Sequence, residues 1–116
     1  MTTNRRDFIA GTRAVIATLA HLQARAADGA ESSVEKLLAE MAEELLADYP
    51  ENATVLGIDA GPRAQLKARL TDRSAAGQEA IARRVAARLE RLRAIDASAL
   101  DEATRIDLDV VRTAHE

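Results

Sequence analysis

The sequence predicts an all-α protein, an array of amphipathic helices joined as helical hairpins, and three observations predict it. Apolar residues recur at steps of three and four through several long windows, and no stretch alternates as a half-buried strand would. Breaks such as "GIDAGPR", "LTDRSAAG" and "DASAL" fall between those windows. The composition is globular, with 47% hydrophobic and 30% charged residues. Its 116 residues give room for one domain at most.

Residues 1–26 read as an export signal rather than as part of the fold. A secretory signal has a positive start, an apolar middle and a small-residue exit. Here the start is Arg5-Arg6, the middle runs from Phe8 through Val15, Ile16, Leu19 and Leu22, and the exit is Ala24-Arg25-Ala26. Cleavage after Ala26 would leave Ala27 as the first mature residue, so residues 27–116 form the helical segment. Arg5, Arg6 and Phe8 resemble the twin-arginine export signal, which implies the twin-arginine machinery as a partner and a periplasmic or secreted destination. Arg13 interrupts the apolar run. A charge there weakens membrane insertion, and the run is too broken to be a permanent anchor.

The helices follow in order. Ser32 with Glu35 has the spacing of a capping box and is expected to open the first mature helix, with Val34, Leu37, Leu38, Met41 and Leu45 as its apolar stripe. Pro50 ends that helix and starts a short one to Leu56, closed by Gly57. Pro62 is expected to begin another through Leu70, with Leu66 and Leu70 inward. Ser74 is a plausible cap for a long helix, Ala75 to Ile95, whose stripe is Ile81, Val85, Leu89, Leu92 and Ile95. Ser98 with Asp101 suggests a second capping box, followed by a last helix that holds Leu100, Ala103, Ile106, Val110, Val111 and Ala114. Phe8 and Tyr49 are the only aromatics, so the mature core is thin, because aromatic side chains bury the largest areas. The array therefore reads as the incomplete N-terminal part of a larger, mostly helical fold.

Chemistry is sparse. There is no cysteine, and the two histidines are His21, in the signal, and His115, expected to be a solvated helix-end residue. A catalytic zinc needs about three protein ligands, so no metal site, cofactor or catalytic residue is assigned to this chain. Glu40, Glu43 and Glu44 lie on one side of the first helix, and Asp107 and Asp109 flank Leu108; a solvated face is the expectation for both sets. Arg83, Arg84, Arg88, Arg91 and Arg93 make the long helix locally basic, as a solvated or inter-helix ion-pairing face. Nucleic acid is not expected as a partner. Residues 1–26 hold four of the sixteen basic residues and one of the nineteen acidic ones, so the remainder is markedly acidic.

One resemblance extends this reading. "YPENATVLGIDAG", "LKARLTDRSAAG", "LERLRAIDASAL" and "RIDLDVVR" resemble the N-terminal region of a bacterial family known as domain of unknown function 885. Pro50-Glu51-Asn52-Ala53-Thr54-Val55-Leu56-Gly57 is similar to that family's Pro-Glu-x-Ala-Thr-x-Leu-Gly, and Asp107 to Val111 matches a family-like segment. The resemblance implies a longer, largely helical, zinc-peptidase-like hydrolase with a His-Glu-x-x-Pro-Gly-His motif far downstream. Nothing in this chain matches that motif. The expected function is thus an exported N-terminal fragment of a metallopeptidase-like protein, inactive alone, whose partner is the missing catalytic region. The alternative is a small self-standing periplasmic helical module that associates through the stripes at Leu37/Leu45 and Leu89/Leu92.

Overall fold

A computed structural model of the chain describes the backbone of residues 5–116 and the side chains of residues 27–116. Among the described residues there are helices and connecting turns but no strand, as expected. The α-helices are α1 (Arg5–Asp48), α2 (Glu51–Val55), α3 (Ala75–Arg93) and α4 (Glu102–His115). Two 3-10 helices, Gly61–Ala68 and Ala97–Ala99, lie in the connections. No described helix is long and apolar enough to cross a membrane.

α1 runs through the position where a capping box was expected. Its backbone is already helical before Ser32, so no free N–H awaits a cap there. Ser33 instead donates its hydroxyl back to the Gly29 carbonyl, 2.8 Å away, as serines inside helices do. The export-signal residues Arg5, Arg6 and Phe8 and the cleavage residues Ala24 and Ala26 lie outside the residues whose side chains are described. Ala27 is half-buried on α1.

Pro50 stands at the N-cap of α2, with φ −62°, an angle its ring imposes. Gly57 ends α2 at φ +69°, in the left-handed region where only glycine is unstrained. The segment after Pro62 is a 3-10 helix that stops at Ala68. Its Leu66 is buried, but Leu70 is 83% exposed, because the backbone turns extended at Arg69 and the helical face ends there. Ser74 caps α3 as expected, accepting from the Gly77 N–H at 3.0 Å. The second capping box does not form. Asp96 caps the Ala97–Ala99 turn, and Asp101 itself caps α4 by accepting from the Thr104 N–H at 2.7 Å.

The core lies where α1, α3 and α4 meet. Val34, Met41, Leu92, Leu100 and Leu108 form one buried cluster, with Leu37, Leu38, Ile95 and Val111 packed around it. The apolar residues of α4 divide between a buried face and an exposed one. Leu108, Thr104 and His115 are inside, whereas Ile106 and Val110 are 55% and 63% exposed. Arg112 fastens α4 to α3 by donating to the Leu92 carbonyl at 2.8 Å and to the Ile95 carbonyl, just past the end of α3, at 3.0 Å.

Candidate functional site

The densest polar arrangement is a seam between the last turns of α1 and the middle of α3. Glu40, Glu44 and Asp48 follow one another at steps of four on α1 and share a face. Arg84, Arg88 and Arg91, at steps of four and three, do the same on α3. The pairs run in opposite order along the two helices, so α1 and α3 are antiparallel here. Arg84 Nε donates to Asp48 Oδ1 at 2.7 Å. Arg88 Nη2 donates to Asp48 Oδ2, and Arg88 Nε to Glu44 Oε2 at 2.8 Å. Arg91 Nη1 reaches Glu44 Oε1 at 2.9 Å and Arg91 Nη2 reaches Glu40 at 3.3 Å.

Burial ranks these contacts. Arg88 and Asp48 are nearly sealed, at 2% and 4% side-chain exposure, while Glu40, Glu44 and Arg91 stand partly in water. Hydrogen bonds from Arg88 and Arg91 hold the Glu44 carboxyl below its ordinary range, against a smaller opposing effect of burial. Burial alone would lower the Arg88 pKa, but Asp48 and Glu44 together outweigh it and raise it. Glu43 turns away to Arg63 on the 3-10 helix, which holds its carboxyl low as well. The inter-helix ion-pairing reading holds for Arg84, Arg88 and Arg91, whereas Arg83 pairs with Glu79 and Arg93 with Glu90 within α3; Glu40, Glu43 and Glu44 are not merely solvated. Asp107 and Asp109 are exposed, with Asp109 3.5 Å from Arg112.

Two residues escaped the sequence reading. Asp48 is the buried anchor of the seam, and its signal was its place one turn beyond Glu44. His115 is buried rather than solvated, at 7% exposure. Its Nδ1 lies 2.8 Å from the Val111 carbonyl, and its Nε2 has no hydrogen-bond partner among the described residues. The face of α4 that buries Leu108 also carries His115 inward, seven positions on.

A second polar cluster locks α2 to the loop before α3. Glu51 accepts from the Thr71 N–H at 3.0 Å, from the Thr71 hydroxyl at 2.7 Å and from Arg73 at 3.1 Å. Hydrogen bonds from its own backbone N–H and then from Thr71 lower its pKa to about 2. Thr54 donates to Asp59 at 2.8 Å, closing the turn that contains Gly57.

Catalysis by the seam carboxylates would need one of them protonated or free to exchange protons near neutrality. At Glu44 the hydrogen bonds from Arg88 and Arg91 favour the charged form instead. Among the described residues, no three His, Cys, Asp or Glu side chains converge as a metal ion would require. The zinc implied by the resemblance therefore has no fitting site among these residues. What the molecule does offer is uncovered apolar surface. Leu45, Leu46, Tyr49, Leu56 and Ile58 line a shallow groove between α1 and α2, and Ile106 and Val110 line another on α4. Neither the known protein families, the curated proteins nor the solved structures include a match to this chain.

Proposed function

We propose that this chain is an exported helical packing segment of a protein resembling the zinc-peptidase-like family of domain of unknown function 885. Its role is to cover and brace a further polypeptide region that supplies the zinc-binding chemistry. The observation that carries this reading is the exposure of large apolar side chains among the described residues, few of whose apolar side chains are buried. Val55 and Leu70 are each 83% exposed, Leu56 65% and Val110 63%. Apolar surface gathered in patches marks a place where more protein packs. The similarity of Pro50–Gly57 to the family motif supports the same reading, since that segment builds α2 and brings Val55 and Leu56 to the surface.

Twin-arginine export remains part of the proposal and rests on Arg5, Arg6 and Phe8, with the exit at Ala24 and Ala26. Expression of the full chain, followed by mass measurement of the mature N-terminus, should find Ala27 first. Replacing Arg5 and Arg6 with lysine should abolish periplasmic delivery, and unchanged delivery would sink the export claim. For packing, the full chain should gain solubility when Leu56 and Val110 are both replaced by glutamate. A loss of cooperative unfolding in that variant would show that these residues support the fold of this chain instead.

The self-standing module remains the second reading, and the α1–α2 groove favours it. Leu92 lies wholly inside the core, which takes one half of the Leu89/Leu92 stripe out of any association surface. Leu45, Leu46 and Leu56 offer a dimer a surface there instead. Sedimentation velocity distinguishes the two readings. A stable dimer lost on Leu56→Glu favours the module, and a monomer favours the packing segment.

A further inference from the structure

We propose that Arg69 and Arg84 form a binding site for a single carboxylate, that of an acidic side chain in a polypeptide laid across the base of α1. The groove beside them is lined by Glu44, Ala47, Asp48, Arg69, Arg84 and Arg88. Its inner groups are already matched. Arg88 is held by Glu44 and Asp48, and the second oxygen of Asp48 is taken by Arg84 Nε. Arg84 therefore keeps both terminal nitrogens without an acceptor among the described residues, on a side chain 51% exposed. The Arg69 side chain makes no hydrogen bond among the described residues either, and it sits on extended backbone just past the 3-10 helix. Arg88 Nη1 likewise lacks an acceptor. The groove thus holds more donors than acceptors.

Charge selects the ligand. Three guanidinium groups face two carboxylates, leaving one positive charge in a protein whose net charge is −3. One carboxylate neutralises that excess, and its two oxygens match the planar fork of a guanidinium. A phosphate dianion would leave a surplus negative charge beside Glu44 and Asp48. A polypeptide source fits better than a free ion, because a second groove continues on the far side of Arg69. Ala47 and Arg69 line both grooves, and Pro62 and Leu66 extend the second one. Residues flanking the acidic side chain would rest on those apolar groups. This site goes beyond the packing reading and stands whether or not the chain is exported.

The test uses the full chain at low ionic strength, observing arginine Nε–H resonances during titration. The probes are a short blocked peptide with one glutamate among apolar residues, sodium acetate and inorganic phosphate. The peptide should move the Arg69 and Arg84 resonances first. Acetate should move the same resonances at ~tenfold higher concentration, and phosphate should bind no better than acetate. Removing a charged hydrogen bond weakens binding ~tenfold or more, so Arg69→Gln and Arg84→Gln should each do so, while Arg105→Gln on exposed α4 should not. Equal losses from Arg84→Gln and Arg105→Gln would reduce the effect to general attraction and overturn the site. Silent Arg69 and Arg84 resonances would overturn it too. Acetate binding as tightly as the peptide would overturn the polypeptide source, and phosphate binding more tightly than the peptide would overturn the single-charge selection. Should Arg84→Gln fail to fold, Arg69→Gln still decides, because Arg69 holds no other group in place.

Discussion

Around Val34 and Met41, α1 is held by carbon, against Leu92, Leu100 and Leu108; one to two turns later, at Glu44 and Asp48, it is held by charge, against Arg84, Arg88 and Arg91. The apolar contact is non-directional and tolerates many partners of similar volume. The charged one is directional, because each guanidinium must meet particular oxygens, and it sets which turn of α3 faces which turn of α1. Backbones come close between α3 and α4 and between α1 and α4, whereas long side chains make the link from α1 to α3. Arginine and glutamate can span that wider gap because their charged heads sit at the ends of several methylenes. The core supplies cohesion, and the seam supplies register.

Breaking the seam at its centre should have the largest effect. Arg88→Met leaves Asp48 nearly buried with one partner fewer, and stripping a buried ion pair of one member costs about 3 to 5 kcal/mol. Urea unfolding of the full chain, followed by circular dichroism, should show that loss. Arg88→Met combined with Asp48→Leu should recover most of it, since a well-packed apolar pair is often as stable as a buried ionic one. If the double variant stays as weak as the single one, the seam does more than satisfy its own charges.

The core makes the matching test. Leu108 is fully buried, and Leu108→Ala should cost about 2 to 5 kcal/mol through lost burial and the cavity left behind. Ile106→Ala, on the opposite face of the same helix, should stay within about 0.5 kcal/mol. An equal loss at Ile106 would mean that this face is covered in solution.

That pair also shows what periodicity could and could not tell. In α1 the expected stripe contains the buried residues Val34 and Met41, because only one face there is apolar. In α4 two faces fit the helical period. Ile106, Val110 and Thr113 make one, and Thr104, Leu108, Val111 and His115 make the other. Only the neighbouring helices choose between them, and periodicity within α4 does not contain that information. The seam was half legible for a related reason. The α3 arginines read as a solvated or ion-pairing face, but Glu40 and Glu44 read only as a solvated one. Arg88, however, lies among inward positions of α3, where a charge reads as surface until its partner is known. Asp48, beside Tyr49 and Pro50, looked like the end of a helix rather than the middle of a contact.

Acid should separate the two chemistries further. The Glu51 carboxyl falls from an ordinary 4.5 to about 2 in the folded chain. A carboxyl with a depressed folded pKa stabilises fully above its unfolded value and loses that contribution as pH falls toward the folded one. The stability advantage of the wild type over Glu51→Gln should therefore be complete above pH 4.5 and shrink toward pH 2. The cost of Leu108→Ala, which involves no ionisable group, should change little over the same range. If the Glu51→Gln difference is flat with pH, the ties to Thr71 and Arg73 do not hold in solution.

The smallest effects discriminate most finely, because two serines that look alike in sequence sit in different places. Ser74 accepts from the Gly77 N–H and satisfies a donor that the first turn of α3 leaves free. Ser74→Ala should cost about 1 kcal/mol. Ser98 precedes an acidic residue at the spacing of a capping box, yet its own backbone N–H is bound by Asp96 and the cap of α4 is Asp101. Ser98→Ala should therefore stay within about 0.5 kcal/mol. The difference arises because Asp101 reaches the Thr104 N–H from the N-cap position itself, leaving Ser98 no donor to satisfy. A Ser98→Ala cost equal to that of Ser74→Ala would restore the capping box and move the start of α4 back toward Ser98. That shift would turn α4 and change which of its two apolar faces meets Leu92.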